Sequence, residues 1–75
     1  MRPSDAKFLK RFGQRIRKLR RERGWSQEEL AARCKLHRTY LGSVERGERN
    51  ISVISLRRLA RALRVSLSEL FRGLQ

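Results

Sequence analysis

An all-α fold of five helices is what this 75-residue sequence predicts, and three observations predict it. Apolar residues recur at spacings of three and four, the period of a helix buried along one stripe, and they nowhere alternate as a half-buried strand requires. Serines followed three residues later by glutamate mark helix starts, at Ser26/Glu29 and again at Ser66/Glu69. Glycines stand just past the ends of apolar stripes, where a helix commonly stops. The length allows one small domain, residues 1–75, and no second. A chain this short buries only about 60% of its unfolded surface, so a partner chain would add needed stability.

The first helix is expected from about Asp5 to Arg23, with Ser4 as its N-cap and Gly24 as its stop; Phe8, Leu9, Phe12, Ile16 and Leu19 form its stripe. The second, from about Gln27 to Cys34, has Ser26 and Glu29 at capping-box spacing and Trp25 with Leu30 at hydrophobic-staple spacing, and turns Leu30, Ala31 and Cys34 inward. Lys35-Leu36-His37 makes a short connection to the third, from about Arg38 to Arg46, which faces inward through Leu41 and Val44 and is closed by Gly47. Ser52 caps the fourth, whose stripe is Leu56, Leu59, Ala60 and Leu63. Ser66 and Glu69 make a second capping box, with Val65 and Leu70 as its staple, and open a short fifth helix through about Arg72.

Composition narrows the function. Twenty Lys+Arg against seven Asp+Glu leave a formal charge of +13. Residues 1–24 carry ten bases and two acids, residues 25–50 five and four, and residues 51–75 five and one. Because the N-terminal bases are interleaved with a helical apolar stripe, they do not read as a disordered tail. They are either a solvated helix face or a face that also lies near phosphate, and charge alone does not choose. A lone Cys cannot form an internal disulfide, and Cys34 with His37 falls short of a structural zinc set. No apolar run approaches the roughly 20 residues of a membrane span, and no signal peptide opens the chain. The expectation is a cytoplasmic protein with a polyanionic partner and with no metal, cofactor or small-molecule ligand. Nor is an enzyme expected: the single His lies beside a helix start, Cys34 faces inward, and no carboxylate pair has a catalytic spacing.

Two short helices joined by a three-to-four-residue turn, at about residues 26–46, have the proportions of a helix-turn-helix, whose second helix can enter a DNA major groove. With Leu41 and Val44 inward, Arg38, Thr39, Gly42 and Ser43 are expected on or near the opposite face. Arg can pair bidentately with guanine, and Thr can meet a thymine methyl. Gly42 costs the helix roughly 1 kcal/mol relative to Ala, and is either a tolerated exposed glycine or room for the duplex.

The strings Ser26-Gln27-Glu28-Glu29-Leu30-Ala31 and His37-Arg38-Thr39-Tyr40-Leu41-Gly42-Ser43-Val44-Glu45-Arg46-Gly47 resemble the helix-turn-helix of the lambdoid phage repressor and Cro class, also called the XRE type. The resemblance runs from about Phe12 to Phe71. Within the class, His37 to Tyr40 followed by Glu45-Arg46-Gly47-Glu48-Arg49-Asn50-Ile51-Ser52 is most similar to controller proteins of restriction–modification systems. It implies a compact lambda-repressor-like domain that controls transcription by reading duplex DNA. Arg38, Thr39, Gly42, Ser43 and Arg49 would contact bases. Gln27, His37, Tyr40, Arg46, Asn50 and again Arg49 would contact backbone. Arg20 and Glu45 match a pair that forms a buried salt bridge, the alternative being independent surface charges. His37 departs from the Ser, Thr or Asp that many relatives carry there, so it either caps the third helix or touches phosphate instead.

Ile54, Leu67 and Phe71 are expected to form a two-fold homodimer contact, which the resemblance also implies, unless they complete the protomer's own core. Two copies would read a pseudo-palindromic operator with half-sites about one DNA turn, roughly 34 Å, apart. Glu28 and Glu29 complement the dipole of the second helix, and could also touch RNA polymerase. The rival readings are a phage-type repressor, an antitoxin or protein-binding adaptor on the same scaffold, and non-specific RNA or membrane-surface binding through the first helix.

Overall fold

Each stretch that the periodicity marks is helical in the computed structural model, which describes residues 1–74: α1 (Pro3–Glu22), α2 (Gln27–Cys34), α3 (Arg38–Glu45), α4 (Val53–Leu63) and α5 (Leu67–Leu70). The described residues contain no strand.

The caps decide where the helices begin. At α2 the box is complete: the Glu29 N–H donates to Ser26 Oγ at 3.1 Å and the Ser26 N–H donates to Glu29 Oε1 at 3.0 Å. That backbone bond from Ser26, and then its hydroxyl, hold the Glu29 carboxyl below the usual carboxylate range. Ser52 Oγ accepts from the Ser55 N–H at 3.1 Å to open α4. Two expectations need correction. α1 starts at Pro3, with Arg2 in the cap position and no side-chain cap, so Ser4 lies inside the helix. A proline at the first helical position has its φ already set and no N–H to leave unpaired. At α5 only half of the second box forms: the Glu69 N–H donates to Ser66 Oγ at 3.0 Å, but the Glu69 carboxylate is drawn away to Arg72 Nη2 at 2.8 Å and Arg15 Nη2 at 3.3 Å. α5 is one turn long and ends at Leu70, short of the expected Arg72.

The core is one cluster. Phe12, Ile16 and Leu19 of α1 meet Leu30, Ala31 and Cys34 of α2, Leu41 and Val44 of α3, Leu59, Ala60 and Leu63 of α4, and Leu70 of α5. Burial pushes the Cys34 thiol up, which makes it inert packing. α1 lies against the C-terminal end of α3 so closely that a Cβ at Gly13 would sit 2.5 Å from the Val44 carbonyl oxygen and nearer still to that of Glu45.

The basic run of α1 divides into two kinds of residue. Arg11 Nη2 donates to the Gly73 carbonyl at 2.7 Å, and Arg15 Nη2 to the Glu69 carbonyl at 2.8 Å. Arg23 donates through Nε and Nη2 to the Leu63 carbonyl, at 3.0 and 2.6 Å, closing the exposed end of α4. These guanidinium groups fasten the fold. Lys7, Lys10, Lys18 and Arg21 stay exposed.

Candidate nucleic-acid interface

The turn between α2 and α3 begins with Lys35 in the left-handed region (φ 58°), which lets the Leu36 N–H donate to the Ala31 carbonyl at 3.0 Å. α3 then starts at His37, whose Nδ1 accepts from the Thr39 N–H at 3.1 Å. His37 is therefore the cap of α3. With Nδ1 accepting, the ring proton sits on Nε2, which is left as a donor.

Behind α3, Leu41 and Val44 are fully buried. In front, Arg38 and Thr39 are exposed, the Arg38 side chain by 62%. The Arg38 Nε lies 3.5 Å from Glu28 Oε1, a surface pair of little strength that water and salt loosen easily.

Gly42 and Ser43 are not open, contrary to the expectation from sequence. Ser43 is only 9% exposed, and its hydroxyl donates to the Tyr40 carbonyl at 2.6 Å. Gly42 is buried beneath side chains: a Cβ there would lie 3.2 Å from Arg46 Nη1 and 3.6 Å from Gln27 Oε1. The flat helical projection put both residues on the outer face; the long neighbours that fold over it do not show in such a projection. The outward surface of α3 is therefore Arg38 and Thr39 at its first turn, with Arg46 laid across its last.

Around this surface stand the residues expected at phosphates. Gln27 Nε2 donates one N–H to Glu45 Oε1 at 3.0 Å, which leaves its second N–H and the first amides of α2. The Tyr40 hydroxyl accepts from the Ser52 N–H at 3.3 Å, and the Arg49 guanidinium lies 5.3 Å from the centre of the Tyr40 ring. Arg46 Nε donates to Glu48 Oε1 at 3.1 Å, and Arg49 and Asn50 are exposed in the loop before α4.

Glu45 is the carboxylate on which the interface rests. It is 2% exposed, and Arg20 clasps it through two parallel bonds, Nε to Oε2 at 2.7 Å and Nη2 to Oε1 at 3.0 Å. Arg17 Nε approaches Oε1 at 3.5 Å. Burial pushes the Glu45 carboxyl up, but the hydrogen bonds from Arg20 and Gln27 outweigh it and hold the group below the usual carboxylate range. Arg20 also donates to the Trp25 carbonyl at 2.8 Å, so one side chain joins α1, the approach to α2, and α3. Sequence reasoning missed Arg17 here; its spacing of three from Arg20 is the signal that could have found it.

Ile54 and Leu67 are exposed by 57% and 47%. Phe71 is not available in the same way: its ring stacks on Phe12 at 5.4 Å and on Phe8 at 6.5 Å, so it completes the protomer's own packing. Among the described residues, no group of three or more His, Cys, Asp or Glu side chains is placed to hold a metal ion, and no helix is long and apolar enough to cross a membrane.

Comparison with known proteins agrees with this geometry. The control protein C.MunI of Mycoplasma sp is 44% identical over 66 residues, covering 87% of this chain and 89% of its own. Among solved structures, the restriction-modification controller protein C.AhdI from Aeromonas hydrophila superposes with a TM-score of 0.82 at 50% identity, over 88% of this chain and 98% of that one. The controller protein C.Esp1396I, solved as a tetramer in complex with its natural 35 base-pair operator, superposes with a TM-score of 0.78 at 38% identity, over 85% of this chain and 84% of that one. The helix-turn-helix family model HTH_3 matches residues 16–70, most of the chain, and the protein belongs to that family.

Proposed function

We propose that this chain is a sequence-specific regulator of transcription of the restriction–modification controller type, whose residues 1–75 act as a single DNA-binding domain that binds duplex DNA as a homodimer on a pseudo-palindromic operator. It works in the cytoplasm by binding, without a catalytic step or cofactor. The observation that carries this reading is the exposed first turn of α3: Arg38 and Thr39 project from a helix whose rear is fixed by Leu41 and Val44. A guanidinium fork and a methyl-bearing hydroxyl suit the edges of guanine and thymine in the major groove. The first amides of α2, with Gln27, and the loop carrying Arg49 and Asn50 stand where they can grip the backbone on either side. Control of its own gene, and a contact of Glu28 and Glu29 with RNA polymerase, fit the same role.

Selection of bound sites from random duplex DNA tests the proposal directly, and recovery of no preferred site would overturn it. On the recovered site, Arg38→Ala should weaken binding by about 1–3 kcal/mol and relax preference at one base pair, whereas Gln27→Ala should weaken all sequences alike. Titrations at rising salt should show phosphate contacts dominating: for about six to ten neutralised phosphates, affinity falls roughly 10³- to 10⁵-fold between 50 and 200 mM.

A further inference from the structure

With the fastening arginines accounted for, α1 retains a polar edge of which only Arg17, beside Glu45, has a partner described above. Lys10, Gln14, Arg17 and Arg21 follow one another at four, three and four residues, which places them on one side of the helix along about 16 Å. The edge touches the candidate interface at both ends. Lys10 packs against Gly47, just after α3, so closely that a Cβ at Gly47 would lie 2.7 Å from the Lys10 Cα. Arg17 reaches the same Glu45 oxygen as Gln27, at the start of α2. Arg21 lies in the last turn of α1, before the turn that leads to Ser26. Gln14 and Arg21 are exposed, and neither Lys10 nor Arg21 takes part in an ion pair among the described residues. Of the nearby acids, Glu48 is engaged by Arg46 and Asp5 lies in the first turn of α1, while Glu22 lines one shallow groove with Gln14, Arg17, Lys18 and Arg21, where the bases outnumber it.

Resting on the DNA-binding reading above, we infer that this edge of α1 is a second track for the sugar–phosphate backbone, gripping duplex beyond the outer end of each half-site. Charge complementarity and continuity with the α2 start and the α3–α4 loop favour DNA backbone as its occupant. The side of α1 that meets α5 carries Arg15 rather than this edge, so a dimer joined at the exposed Ile54 and Leu67 is inferred to leave the edge free. The track carries no base-reading geometry: lysine, arginine and glutamine on a convex helix edge meet phosphate oxygens whatever the sequence. It would lengthen the footprint and raise affinity without altering which bases are preferred.

The test compares two duplexes carrying the site recovered by selection, one trimmed to the site and one extended by about half a turn of DNA at each end. The wild-type dimer should bind the extended duplex more tightly and with a steeper salt dependence. The Lys10→Gln/Arg21→Gln double variant should lose that advantage while its affinity for the trimmed duplex and its base preferences stay the same. Two phosphates neutralised per protomer, four per dimer, correspond to an additional loss of roughly 150-fold between 50 and 200 mM salt on the extended duplex. Equal affinity and slope on both lengths in the wild type, or an equal loss on both in the variant, would overturn the track. A wild-type protein that prefers no site at all would instead overturn the regulatory reading, so the two failures are distinct.

Discussion

Glu45 shows how much one side chain can hold. It sits in the last turn of α3, the helix proposed to face DNA, fully covered, and receives donors from α1 and α2 at once. Removing its charge leaves Arg20 buried without a counterion, and breaking a buried pair of this kind typically costs about 3–5 kcal/mol. Glu45→Gln should therefore lower stability by that order at pH 7, read by urea denaturation. The pH dependence has a definite sign. Because the folded carboxyl titrates lower than an unfolded glutamate, its stabilisation is whole above the unfolded value of about 4.3 and disappears as pH falls through the lower folded value. The wild-type transition midpoint should drop more steeply below about pH 4.3 than that of the Gln variant; parallel profiles would refute the coupling. The pair itself was legible in sequence only through resemblance, since residues 25 apart share no local spacing. Ser43 went the other way, because a hydroxyl that turns back to the carbonyl three residues earlier looks the same in sequence as one that faces a groove.

The helices were read well where their ends carry chemistry. Ser26 with Glu29, Ser52 and Ser66 each place an acceptor where the structure uses one, and the buried apolar residues of α1 to α4 all fall on the stripes, although Phe8, Leu9 and Leu56 of those stripes are only half-buried. Legibility stopped where other partners compete, as when distant Arg15 and neighbouring Arg72 take the carboxylate of Glu69 from its cap. It stopped too at Gly13, whose role depends on the backbone of α3 lying against it rather than on its own helix. Gly13→Ala should force α1 and α3 apart against the carbonyl oxygens of Val44 and Glu45. Overpacking costs typically about 1–3 kcal/mol, so thermal unfolding should shift down by several degrees, whereas alanine at exposed Gln14 should change little.

The protomer measures 32 × 24 × 21 Å, so two copies side by side suit half-sites about one turn of DNA apart. Ile54 and Leu67 are exposed aliphatics, as is Val53, and the first two are those that a second copy is proposed to cover. Ile54→Asp should leave the protomer folded but shift sedimentation equilibrium toward monomer at micromolar concentration, and should weaken operator binding by far more than the loss of one contact. A wild-type protein that stays monomeric would rule this contact out. Phe71, packed on Phe8 and Phe12, should affect folding rather than pairing. In the proposed complex the tilt of α3 in the groove would be set from its rear, by the close seat of α1 at Gly13 and the clasped Glu45, not by the two side chains at its front. New specificities could accordingly be grafted at positions 38 and 39 with the presenting frame left as it stands.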